Sequence, residues 1–270
     1  MRVVALLATY NERRFIGACL THLRDQGVDA YLIDNCSTDD TVELAERWLG
    51  RGLIEIESFP RGEGDVYNWR SLLTRKEELA RELDADWFLH MDPDEIRLAP
   101  SKGQTLSQAL EMADREGFNA VNFTEFSFVP TREAPYHDHA DFQQTLLTYY
   151  PLMPSFPHQL KAWKATDSVE LAWSGGHKVS FPGLRMHPES FPMKHYLFLS
   201  LPHAIEKYVQ RRYDQEEIDS GWHVQRSKLS AEDIFLPSQA GLRLAKPGGE
   251  LDSSAPRTRH YFFESIGAPG

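Results

Sequence analysis

Asp92-Pro93-Asp94 sets two carboxylates two residues apart, stiffened by the proline between them, directly after the apolar run Asp86-Trp87-Phe88-Leu89-His90-Met91. Oxygen donors at that spacing suit one hard divalent cation. Such a cation can bridge the oxygens of a diphosphate and neutralise it as a leaving group. The same residues also make a good solvated turn, because proline and aspartate favour turns. His195, between Lys194 and Tyr196, adds a neutral imidazole able to ligate a divalent metal, beside a lysine able to offset phosphate charge. His177 lies in Ser174-Gly175-Gly176-His177-Lys178, where the glycines either bring backbone close to a ligand or make a tight turn. Arg211-Arg212, followed by the acidic run from Asp214 to Asp219, reads as a solvated face of paired charges, with contact to phosphates or an anionic acceptor as the alternative. Tyr149, Tyr150, Phe156, Trp163 and Trp173 could stack on sugar faces or fill a core.

These groups act together only if the chain carries them to one place. Val3 to Ala8 is a continuous apolar run, as expected of a strand buried on both faces. Phe15, Ile16, Cys19, Leu20 and Leu23 follow at helical spacing and stop near Gly27. Ala30 to Ile33 reads as the second strand, ending at Asp34-Asn35. Asp40 with Glu43 three residues on resembles a capping box that opens a helix through Trp48. Leu53 to Ile56 is the third strand, and Val66, Trp69, Leu72, Leu73, Leu79 and Leu83 mark one face of a long helix. The strand Asp86 to Met91, a helix around Leu106 to Arg115 and a strand at Ala120 to Phe123 continue the alternation. Strands alternating with helices imply a mostly parallel sheet flanked by helices, and such sheets bind ligands beyond the carboxyl ends of their strands. Thr9-Tyr10-Asn11-Glu12, Asp34-Asn35 and Asp92-Pro93-Asp94-Glu95 each follow a strand and are expected along that edge.

After Phe126 the alternation breaks down. Short strand-like pieces are expected at Gln159 to Trp163 and His177 to Phe181, and a helix at Pro202 to Tyr213. The segment from Pro237 onward, rich in Pro, Gly and Ser, is expected to be partly mobile, with Tyr261-Phe262-Phe263 able to dock. The division is then 1–125, an α/β half; 126–236, an elaborated second half of the same domain; and 237–270, a tail.

Composition narrows the partners. Over 270 residues, 29 lysines and arginines face 40 aspartates and glutamates, a net charge of −11. That balance argues against a protein whose affinity comes from coating nucleic-acid phosphates or an anionic membrane. A hydrophobic share of 41% with 26% charged residues is that of an ordinary globular chain. Two cysteines, Cys19 and Cys36, are too few for a disulfide scaffold. The first apolar run is shorter than a signal-peptide core, and no stretch approaches the roughly 20 apolar residues that span a bilayer. The expected setting is the cytoplasm, with any membrane association peripheral to the inner face.

Leu7-Ala8-Thr9-Tyr10-Asn11-Glu12, then Ile33 to Thr41, then Phe88-Leu89-His90-Met91-Asp92-Pro93-Asp94-Glu95 together resemble the opening of a family 2 glycosyltransferase of the GT-A fold. Lys194-His195-Tyr196 resembles a later element in which a histidine returns to the metal site. The resemblance implies transfer of a sugar from a nucleotide diphosphate sugar, UDP or dTDP being favoured, to an acceptor hydroxyl, with Mg or Mn as cofactor. It implies that Thr9, Tyr10 and Glu12 border the nucleotide. Asp34 would accept a hydrogen bond from the imide N–H of uracil or thymine. Asn68, with Arg61, Gly62 and Gly64, would belong to the segment closing over the donor. Asp92 and Asp94 would take the ribose–diphosphate–metal region with His195; His177, read from its glycine-flanked motif and not from the resemblance, is a second candidate for contact with the donor.

The resemblance also implies inversion at the anomeric carbon, and inverting transfer needs a general base within hydrogen-bond reach of the acceptor hydroxyl. The chain departs from the family here, since no Glu-Asp pair opens an acceptor-side helix; Glu125, just past the strand at Ala120 to Phe123, and Asp138 or Asp141 are the options, Glu125 being preferred for its place at a strand end and Asp141 standing second. The acceptor is a glycan, a lipid-linked sugar or a small molecule. Two other readings stand beside this one. An apolar strand followed by Asp-x-Asp also opens the active site of haloacid-dehalogenase-type phosphatases, but there Thr or Val normally follows and the motif lies near the N-terminus, whereas Glu95 follows here. A non-catalytic sugar-nucleotide or glycan-binding module would account for the missing base pair of residues.

Overall fold

The computed structural model describes residues 1–62, 66–246 and 248–263. Gly64, the side chain of Phe263 and the end of the tail from 264 lie outside the described residues. In chain order the main elements are β1 (Val3–Thr9), α1 (Ile16–Asp25), β2 (Asp29–Asp34), α2 (Thr41–Glu46), β3 (Leu53–Ser58), α3 (Trp69–Glu82), β4 (Trp87–Met91), β5 (Glu95–Arg97), α4 (Leu106–Arg115) and β6 (Ala120–Phe128). Then follow α5 (Phe142–Thr145), β7 (Thr148–Leu152), β8 (Gln159–Lys164), β9 (Phe191–Tyr196), α6 (Leu201–Tyr208), α7 (Gln215–Asp219) and β10 (Arg243–Leu244). The chain forms two compact units: Met1–Arg61, Trp69–Thr124 and Pro157–Met193 make the first, and Gly62–Asn68, Glu125–Phe156 and Lys194–Gly270 the second.

The first unit is the α/β architecture expected from the alternating pattern. β4, β1, β2 and β3 lie side by side and parallel, and β8 extends them antiparallel beyond β4. Every residue of β1 and β4 is buried, which is why these strands read as unbroken apolar runs rather than alternating ones. Successive side chains still point to opposite faces. Val3, Ala5, Leu7, Leu89 and Met91 share one hydrophobic cluster with Ile16, Cys19, Leu20 and Leu23 of α1 and with Leu106, Ala109, Leu110 and Ala113 of α4. His90, between Leu89 and Met91, points to the other face and meets Lys76 of α3. Full burial of each Leu or Ile in this cluster contributes about 1.5–3 kcal/mol.

The boundaries differ from expectation where hydrogen bonds outside the element compete for the backbone. Asp40 precedes α2 but its side chain makes no cap bond; Asp39 accepts the N–H and the hydroxyl of Thr41 instead. The reciprocal capping box occurs on α4, between Thr105 and Gln108. His177 to Phe181 is not a strand, but a turn held by the single bridges Leu160–Lys178 and Glu170–Ser180.

In the second unit, the end of β6 pairs antiparallel with β7, and β7 with β10. β6 runs on to Phe128 rather than stopping at Phe123, so Glu125 sits within a strand and not past its end. α6 opens with Ser200 as its cap and Pro202 in its first turn. It ends at Tyr208 rather than Tyr213, because Arg212 and Asp214 bond to the Tyr67 backbone instead of continuing the helix. Tyr149 and Tyr150 are core residues here, as Trp163 is in the first unit, whereas Phe156 and Trp173 are exposed. Phe262 packs beside Phe198, Tyr208 and Tyr150 in the hydrophobic cluster of this unit. No helix among the described residues is long and apolar enough to cross a membrane.

Candidate functional site

The register of the parallel strands decides which polar residues become neighbours. Thr9 pairs with Asp34 across β1 and β2, Asp34 with Ser58 across β2 and β3, and Leu7 with Met91 across β1 and β4. Thr9, Asp34 and the turn beginning at Asp92 therefore lie along one carboxyl edge of the sheet. Asp34 is buried; Oδ1 accepts from the Thr9 hydroxyl at 3.2 Å and Oδ2 from the Ser37 N–H at 3.0 Å. Each carboxylate oxygen has a second lone pair for a further donor.

The loops after β1 and β2 interlock. Asn11 N–H donates to the Ser37 hydroxyl at 3.0 Å, the Asn11 side-chain oxygen accepts Thr38 N–H at 2.8 Å, and Glu12 N–H donates to Thr41 Oγ1 at 2.8 Å. Asn11 has φ 57°, a left-handed conformation that asparagine adopts more readily than most residues. Arg61 lies over the half-buried Tyr10 ring, 4.1 Å from its centroid, and donates to Asn35 Oδ1 at 3.5 Å. A cationic, planar surface therefore stands beside Asp34. Glu12 is buried. Asn68, in the second unit, donates to Asp214 at 3.5 Å.

The acidic turn is half-buried at Asp92 and buried at Asp94. Under it lies a group of charges that the motif reading missed. Glu95 Oε1 accepts from Lys161 Nζ at 2.9 Å, and Oε2 from Arg97 at 2.6 Å and from the Asp92 N–H at 3.3 Å. Arg97 also donates to the His90 carbonyl at 2.6 Å. Lys76 Nζ lies 2.8 Å from His90 Nδ1 and 3.3 Å from the Met91 carbonyl, and burial pulls its pKa down to about 7. Burial, then the charges of Lys76, Lys161 and Arg97, hold His90 well below the ordinary histidine range. Cys19 is buried, which raises its thiol pKa, and Asp94 and Glu95 raise it further. The missed residues carried a legible signal: Lys76 falls on the apolar stripe between Leu72 and Leu79, and Lys161 interrupts the buried run from Leu160 to Trp163.

Gly176 explains the glycines beside His177. It has φ +84°, and a Cβ there would lie 2.8 Å from His90 Nε2 and 2.9 Å from Leu73. That close approach is to the core, while His177 itself is exposed and stacked on His158, ring centroids 5.2 Å apart.

In the second unit, Glu125 is buried and its Oε1 lies 2.8 Å from His195 Nδ1 and accepts the Ser127 hydroxyl at 3.0 Å. A carboxylate at Nδ1 fixes the ring and its tautomer. The His195 side chain is 16% exposed against 1% for Glu125, so the imidazole is the accessible end of the pair. Asp141 is exposed at the start of α5, and Asp138 is half-buried. Among the described residues, no three His, Cys, Asp or Glu side chains form a group able to hold a metal. Two carboxylates still fit an ion that keeps octahedral oxygen ligation, since magnesium is commonly held by one or two carboxylates plus substrate phosphates.

A search of curated protein sequences finds no match. Among solved structures, the chain is similar to S. aureus TarS in complex with UDP, at 12% identity over 81% of this chain and 69% of that one, TM-score 0.43. It is also similar to M. tuberculosis glucosyl-3-phosphoglycerate synthase in complex with Mn2+, UDP and glucosyl-3-phosphoglycerate, at 18% identity, TM-score 0.30. That match covers 47% of this chain and 44% of the synthase, so the chain spans under half of the synthase's length. The sequence model for glycosyl transferase family 2 matches residues 5–159, more than half of the chain, and the chain therefore belongs to glycosyl transferase family 2.

Proposed function

We propose that this chain transfers a sugar from a nucleotide diphosphate sugar, UDP or dTDP by preference, to an acceptor hydroxyl, with inversion at the anomeric carbon and a divalent cation. The observation that carries the reading is the alignment of Thr9, Asp34 and the Asp92–Asp94 turn along one carboxyl edge in a chain of this family. Asp34 is suited to an imide N–H, because its oxygens only accept and Thr9 and Ser37 hold them in place. Tyr10 with Arg61 offers a flat cationic face for the base or its phosphates, and Glu12 and Asn68 border the donor.

Asp92 and Asp94 would hold Mg or Mn, which when bound supplies positive charge to the departing diphosphate. In the transfer, the acceptor oxygen forms the new bond to the anomeric carbon as the bond to the diphosphate oxygen breaks, and the electron pair leaves with the diphosphate. The acceptor proton goes to a base. Glu125, buried beside His195 Nδ1, is the first candidate for that base; Asp141, exposed at the start of α5, is the second. His195 would add a ligand to the cation, and His177 would contact the donor.

Calorimetry with UDP and dTDP, with and without Mn, tests the reading. Asp94→Asn should abolish the metal-dependent part of nucleotide binding, and Asp34→Ala should weaken UDP about tenfold or more while leaving Mn affinity unchanged, as expected for loss of a hydrogen bond to a charged group. Equal UDP affinity for Asp34→Ala and the parent would remove Asp34 from the base site. Hydrolysis of p-nitrophenyl phosphate would favour a phosphatase instead, and nucleotide binding without transfer to any acceptor would favour a binding module.

A further inference from the structure

Building on the proposed metal site, we infer that Lys161 is a positioning residue for the acidic turn: acting through Glu95, it fixes the backbone that aims Asp92 and Asp94. Lys161 stands on β8 and Glu95 and Arg97 on β5, so the group joins two strands of the first unit that are far apart in the chain. Their side chains are 6%, 1% and 0% exposed. The Lys161–Glu95 separation is 2.9 Å and the Arg97–Glu95 separation 2.6 Å, so both carboxylate oxygens are held from outside the turn.

The third contact gives the group its purpose. Glu95 Oε2 also accepts the main-chain N–H of Asp92 at 3.3 Å, and the Glu95 N–H returns to the Asp92 carbonyl at 3.1 Å. Glu95 therefore grips both main-chain polar groups of Asp92, its N–H and its carbonyl. Arg97 ties the preceding strand to the same carboxylate through the His90 carbonyl. A buried ion pair of this kind adds little stability over a packed apolar pair of similar volume. What it does add is a fixed orientation: rotation of Glu95 would break a bond to Lys161, to Arg97 or to the Asp92 backbone. Second-layer contacts that orient metal-binding carboxylates typically change metal affinity 10–100-fold when removed.

The test uses the full chain and Mn itself as probe, with free Mn followed by electron paramagnetic resonance in the presence of UDP. Lys161→Met should weaken Mn affinity by about 10–100-fold while the chain still melts cooperatively, and Lys161→Arg should restore most of it. Mn affinity unchanged in a folded Lys161→Met chain would overturn the assignment. Should Lys161→Met fail to fold, Glu95→Gln serves: it keeps the side-chain shape, removes the charge that Lys161 and Arg97 grip, and is expected to weaken Mn by about tenfold, with unchanged affinity again overturning the assignment. Asp94→Asn separates the two levels of the argument. If it leaves Mn affinity intact, the metal site itself fails; if it abolishes binding while Lys161→Met does not weaken it, only the positioning role fails.

Discussion

Lys76 carries its ammonium group on the buried stripe of α3, against His90 and the Met91 carbonyl, with no solvent exposure. Its folded pKa of about 7 lies below the ordinary 10.5. Between those values the unfolded chain binds a proton that the folded chain does not, so stability rises with pH through that window. Below about pH 7 both states are protonated and the full burial penalty is present. Lys76→Met should remove this slope: between about pH 7 and pH 9, the parent should gain about 2 kcal/mol on the variant in urea unfolding. Parallel pH profiles for the two chains would show that Lys76 does not titrate in that range. At this scale the polar residues of the sheet edge are readable, since Thr9, Asp34, Asp92 and Asp94 follow apolar runs. The cations beneath them were visible only as charges in apolar stripes, and nothing in a linear pattern says which carboxylate a buried lysine will meet.

Among the elements, the strands of the first unit follow from unbroken apolar runs and the helices from their stripes. The errors came at the ends. The Asp40–Glu43 spacing matches a capping box, yet Asp39 receives the Thr41 N–H, because the loop after β2 is held by Asn11, Glu12 and Arg13 from the loop after β1. Asp39→Ala should therefore cost about 1 kcal/mol more than Asp40→Ala in thermal or denaturant unfolding. Equal losses would return the cap to Asp40. β7 and the end of β6 escaped notice for a related reason: their tyrosines and phenylalanines suit a strand, but Glu125, Ser127 and Pro151 interrupt the run.

For the molecule as a whole, a net charge of −11 makes long-range attraction of a diphosphate unfavourable. The first unit answers locally, with Arg61 beside Asp34 and with carboxylates suited to a cation at Asp92 and Asp94. Without metal, UDP should bind more tightly as salt rises from about 0.01 M to about 0.1 M, because the screening length falls from about 30 Å to about 10 Å and removes repulsion from distant carboxylates. Calorimetry at the two ionic strengths decides this. Weaker binding at the higher salt would mean that nearby cations such as Arg61 dominate the field.

Periodicity and turn chemistry alone determined that strands and helices alternate through the first half and that polar motifs follow the apolar strands, because both signals are local and repeat every two or 3.6 residues. They did not determine register, and register is what sets Thr9 beside Asp34 and Met91 beside Leu7. Nor did they reveal that Lys161, 66 residues from Glu95, closes the ion group under the acidic turn. The pairing of a buried charge depends on which strands become neighbours, and tertiary structure alone decides that.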